Sequence, residues 1–163
     1  MPRRKNDSGN LLFFRVYPEH KRLHYDVFIW ETAKAMRDAI KGVFKREELK
    51  TIMACVLTLQ TEYQRQKGHI GDIHFNKEFL GRDIIAHEST HAAIGWAPRA
   101  KVELEDIYDR PDPKRANPVE ERFCDVVGAI VEQIEEAIRH ADWRIEESID
   151  ESRVIYVDEP VEQ

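Results

Sequence analysis

Two histidines and a glutamate in the stretch His87-Glu88-Ser89-Thr90-His91 have the types and spacing to do chemistry together. On a helix, residues four apart lie one above the other on the same face, so His87 and His91 present two imidazoles to one point. Glu88 is turned by about 100° from His87, which lets its carboxylate reach water held by a metal ion rather than the ion itself. This H-E-x-x-H arrangement suits metal-assisted hydrolysis, with the imidazoles holding Zn2+ and the carboxylate acting as general base. The flanking residues predict a helix. Ile84, Ile85, Ala86, Ala92, Ala93 and Ile94 are apolar or small, Asp83 is placed to cap the start, and Gly95 followed by Pro98 predicts the end.

Two imidazoles do not complete a catalytic zinc site, which takes three protein ligands and keeps one position open. Asp106, Cys124 and His140 are available downstream, but the run from Glu120 to Asp125 offers more. It opens a predicted helix with Asn117 as its cap and Pro118 in its first position. The apolar stripe of that helix is Val119, Phe123, Val126, Val127, Ile130, Ile134 and Ile138. Burial alone nominates Glu120, which borders the stripe. Glu121 has a different claim, because Asp125 and Gly128 share its face. Asp125 can accept the N–H of a ligating histidine, and Gly128 leaves room for another helix. On the residues alone, both glutamates stay open.

The pattern His87-E-x-x-His91 followed by Glu121-x-x-x-Asp125 resembles the signature of the gluzincins, the thermolysin-like clan of zinc peptidases. The small size, the strands ahead of the motif and the run Glu121-x-x-Cys124-Asp125-x-x-Gly128 are similar to small ImmA/IrrE-type metallopeptidases and phage-encoded zincin-like proteins. The resemblance covers roughly residues 69–135. It departs at Thr90, where that family has glycine, and no helix-turn-helix partner is legible beside it. It implies Zn2+ held by His87, His91 and Glu121, with Asp125 supporting a ligand, Glu120 as the alternative third ligand and Glu88 as general base. It further implies a protein or peptide substrate. The fold expected is zincin-like α+β: a small mixed or antiparallel sheet packed on the motif helix, with a second helix carrying the third ligand. One rival reading is a non-catalytic zinc-binding regulatory or interaction protein that retains the site. Another is a plain α+β interaction domain in which the motif is fortuitous.

The elements that must position these residues belong to a chain of 163 residues, 42% hydrophobic and 34% charged, which is enough for one domain with a real core. A net charge of −6 weighs against a generic nucleic-acid groove. Residues 1–10 read as a flexible basic N-terminus, 11–140 as a single domain and 141–163 as an acidic, solvated tail with an apolar patch at 154–157. Residues 11–16, interrupted by Arg15, are too short for a signal-peptide core, and no run approaches a membrane span. Cys55 and Cys124 lack C-x-x-C spacing and are expected to be buried thiols in a cytoplasmic protein.

Residues 11–17 and 23–30 predict a hairpin, with His20 and His24 on its turn and its exposed face. Residues 32–44 have helical spacing. Residues 51–64 fit a strand and a helical stripe alike; their threonines and branched residues favour the strand. After a turn at 65–68, residues 69–79 predict a returning strand. Gly68, Gly71 and its polar interruptions mark that strand as an edge, able to pair with an extended substrate and carrying His69 and an exposed His74. The long connection 101–117 predicts a short helical piece at 102–108 bordering the site, with Arg99 and Tyr108 as candidates to support an oxyanion.

Overall fold

The computed structural model describes residues 10–58, 67–108, 114–143 and 145–147. The basic residues before 10, the second half of the expected strand 51–64 and the apolar patch at 154–157 lie outside the described residues. The architecture is α+β. Strands β1 (Asn10–Val16) and β2 (His24–Trp30) form the antiparallel hairpin; β3 (Cys55–Thr58) and β4 (His69–Asn76) complete a four-stranded sheet in the order β1-β2-β4-β3. β2 and β4 run parallel and β3 antiparallel to β4, so the sheet is mixed. The described helices are α1 (Ala33–Ile40), α2 (Arg46–Leu49), α3 (Arg82–Arg99), α4 (Glu105–Tyr108) and α5 (Pro118–His140), with a 3-10 turn at Lys77–Phe79. None of them is long and apolar enough to cross a membrane.

Alternation along β2 divides the sheet into two faces. Tyr25, Val27 and Ile29 are fully buried beneath α3 and α5, together with Ile73, Phe75, Ile85, Trp96, Ile130 and Ile134. The other face carries His24, Asp26, Phe28 and Trp30. α1 covers its far end, where the Asn76 amide donates to the Met53 carbonyl at 2.7 Å and contacts Met36 Sδ at 3.7 Å.

Helix starts follow capping chemistry. Thr32 Oγ1 accepts from the Ala35 amide, and Asn117 Oδ1 accepts from the Val119 and Glu120 amides. α3 departs from expectation at both ends. Its cap is Gly81 rather than Asp83, and it continues through Gly95 and Pro98. Gly95 serves close packing: a Cβ there would lie 2.6 Å from Tyr25 Oη, whose hydroxyl donates to the Ala92 carbonyl at 2.7 Å. The helix stops at Lys101, with φ 59°, where the Val102 amide reaches back to the Ala97 carbonyl in a Schellman closure.

β4 is an interior strand, paired on both sides, and the edges of the sheet are β1 and β3. Gly71 therefore marks a close approach of two backbones: a Cβ there would overlap the Leu57 carbonyl of β3. His24 and His74, expected on exposed faces, are buried. Cys55 is buried as expected, but Cys124 is exposed on α5, and both are free thiols. Past α5, Trp143 and Ile145 pack on the core, and Glu146 forms a bridge with Gly81 at the start of α3.

Candidate metal centre

α3 sets His87 and His91 one turn apart, and their Nε2 atoms are 3.1 Å apart with the rings edge to face. Two ligands bonded at about 2.0–2.1 Å to a tetrahedral ion stand about 3.3 Å apart, so the pair fits a shared ion. Both imidazoles are exposed. They open onto a cleft of about 480 Å³ between α3 and β3, walled by Ile52, Ala54, Val56, Thr58 and Gly95. Glu88 lines the same cleft and is buried, and desolvation raises its carboxyl to about 7. A carboxyl with that affinity can take and return a proton near neutral pH. Cys55 also lines the cleft, where burial first and the Glu88 charge second push its thiol up to about 12. It stands there as a neutral wall residue. Thr90 is exposed, its hydroxyl donating to the Ala86 carbonyl at 2.9 Å.

The residues expected to complete this centre are placed elsewhere. Trp96 lies about 180° from His87 and about 140° from His91 round α3, and the Arg122 guanidinium of α5 sits 5.1 Å over its ring. α5 thus packs on the flank of α3 turned away from the imidazoles. Glu121 and Asp125 are exposed on α5, Glu120 is half-buried there, and Gly128 has no neighbour within 4 Å of its would-be side chain. Asp106, Cys124 and His140 are exposed as well. Among the described residues, no third His, Cys, Asp or Glu ligand atom joins His87 and His91 in a group within 4.8 Å. Arg99 donates to the His69 carbonyl, Tyr108 is 85% exposed, and neither lines the cleft.

Among the described residues one group does bring three ligating side chains together: the ligand atoms of His24, Asp26 and His69 lie within 4.8 Å of one another. Only the i, i+2 spacing of His24 and Asp26 hinted at it. Their partner His69 enters through strand pairing, which the sequence does not display. No family model, curated protein or solved structure matches this chain.

Proposed function

We propose that the cleft between α3 and β3 is the active site of a zinc-dependent metallopeptidase acting on a protein or peptide substrate. The observation that carries this reading is the 3.1 Å spacing of the His87 and His91 Nε2 atoms at the mouth of a cleft lined by the buried Glu88 carboxyl. His87 and His91 would supply two of the three protein ligands that a catalytic ion takes, the third coming from outside any group they form among the described residues. When bound, Zn2+ supplies Lewis acidity, polarising a carbonyl and acidifying water. Glu88 takes up a proton from the attacking water and delivers it to the leaving amine, a role that suits a carboxyl raised to about 7. Ile52, Ala54 and Val56 give the cleft an apolar wall opposite the imidazoles. Two free cysteines suit a cytoplasmic setting.

A second reading is a non-catalytic zinc-binding regulatory or interaction protein. It is favoured by the exposure of both imidazoles and by the placement of Glu120, Glu121 and Asp125 on α5, outside any group with them. Glu88→Gln separates the two readings. Hydrolysis requires a fall in peptide cleavage of about a hundred- to ten-thousand-fold with zinc content unchanged. A wild-type chain that binds zinc and cleaves nothing in a diverse peptide pool supports the binder.

A further inference from the structure

The sheet face turned away from α3 carries its own metal-ligating side chains. His24 and Asp26 alternate on β2 with the core residues Tyr25 and Val27, and so share that face. His69 joins them through an irregularity at the start of β4. His24 pairs with His69 but Tyr25 pairs with Gly71, so Ile70 is an extra residue. Such a bulge reverses the alternation and re-aims the side chain before it, bringing His69 round to the side of Asp26 and Asp72. Gly68 fixes the entry to β4. It has φ 75°, a Cβ there would overlap the Arg22 carbonyl, and its own carbonyl accepts from the His24 amide at 2.9 Å.

The ligand atoms of His24, Asp26 and His69 lie within 4.8 Å of one another, so small side-chain rotations bring them onto one ion. The His24 and His69 rings stack with centroids 5.2 Å apart, only 4° from parallel. Arg15 Nε donates to Asp26 Oδ1 at 2.8 Å, and Asp26 Oδ2 lies 3.6 Å from His69 Nε2. The same Nε2 is 3.0 Å from Asp72 Oδ1 and 3.0 Å from the Gly71 carbonyl. Atoms bound to one ion at about 2.0–2.2 Å stand about 3–3.6 Å apart. Two carboxylates against one guanidinium leave the group net negative, which favours a cation. The side chains of Asp26 and His69 are each 16% exposed, so an ion can enter yet sheds most of its water.

We infer that His24, Asp26 and His69 form a second metal site, on the face of the sheet opposite the α3 pair, for one divalent first-row transition ion. Two imidazoles with a carboxylate select such an ion over Mg2+ or Ca2+, which take oxygen ligands. The site is independent of the proposed peptidase centre.

Zinc titrated calorimetrically into the metal-free full chain tests it, with the His87→Ala/His91→Ala double variant removing the α3 pair. That variant is expected to keep one zinc per chain, with the ring resonances of His24 and His69 shifting in NMR spectra as zinc is added. Adding His24→Gln and His69→Gln to it, with the fold checked by circular dichroism, is expected to weaken binding by more than the roughly 100-fold that loss of a residue merely supporting a ligand costs at most. Absence of zinc binding in the folded double variant would overturn the inference. So would binding that leaves the His24 and His69 resonances unmoved. If the quadruple variant does not fold, those resonances in the double variant decide alone.

Discussion

His87 and His91 stand one turn apart on a single helix and face solvent, whereas His24 and His69 come from two different strands and meet across a bulge. The helix pair needs nothing but backbone periodicity to converge, and its exposure means that binding an ion costs little desolvation. The sheet group needs the strand order, the register and the Gly68 turn to be right before its ligands meet. It is correspondingly part of the packing. A helix can therefore offer chemistry to a cleft without staking the fold on it, while a sheet face ties its polar cluster to the strand pairing.

The contrast is sharpest for His74, further along that sheet face. It is buried in a stack with Phe28 and Trp30, and the Trp30 indole N–H donates to its Nδ1 at 3.0 Å. Burial holds its imidazole down at about 4, against an ordinary value of 6.5. As pH falls below 6.5 the unfolded chain takes up this proton and the folded chain does not. Stability from this residue is thus full above 6.5 and is lost as pH falls towards 4, by about 3 kcal/mol in all. Chemical denaturation across that window should show His74→Phe losing less stability than the wild type as pH falls. His24, whose imidazole burial also holds down at about 4, keeps its own share in both proteins, and the raised Glu88 carboxyl opposes it in both. An unchanged slope in His74→Phe would place His74 in contact with water.

Single alanines in the metal-free protein sharpen the same comparison. His24→Ala should cost about 1–3 kcal/mol through lost packing and stacking, and His91→Ala less than about 0.5 kcal/mol, as expected of a surface position. Equal costs would break the distinction between the two groups. On α5, Gly128 is exposed within a helix and its would-be side chain meets open space, so Gly128→Ala should stabilise by about 0.5–1 kcal/mol. Destabilisation there would reveal a helix or partner that approaches this face. The smallest effect concerns Glu121. With α5 packed as it is, Glu121→Ala should leave zinc affinity within about twofold, where even a residue supporting a ligand is worth roughly 10–100-fold. A larger loss would mean that α5 moves to bring Glu121 to the imidazoles, as the family-like spacing expects.

What the sequence made legible was local. The i, i+4 histidines and the stripe Val126, Ile130, Ile134 and Ile138 follow from helical periodicity and the Asn117 cap from its side-chain chemistry, and the structure places each accordingly. The hairpin of β1 and β2 was legible for the same reason, because period-two burial needs no distant partner. The misreadings turned on long-range packing. Gly71 and Gly95 looked like an edge marker and a helix stop, yet each is small because another part of the chain comes close: the Leu57 carbonyl in one case, Tyr25 Oη in the other. Interior placement of β4 depends on a parallel pairing with β2 that no local pattern announces. The side of α3 on which α5 packs decides whether Glu121 can meet His87, and helical wheels drawn one helix at a time do not contain that information.

Crystals grown with Zn2+ and measured with anomalous scattering at the zinc edge test the central claim directly, since the ion is then located without reference to activity. A peak within bonding distance of both His87 Nε2 and His91 Nε2, beside the Glu88 carboxyl, is the result predicted. Zinc absent from that position while bound elsewhere on the molecule would contradict a metal centre in the α3 cleft.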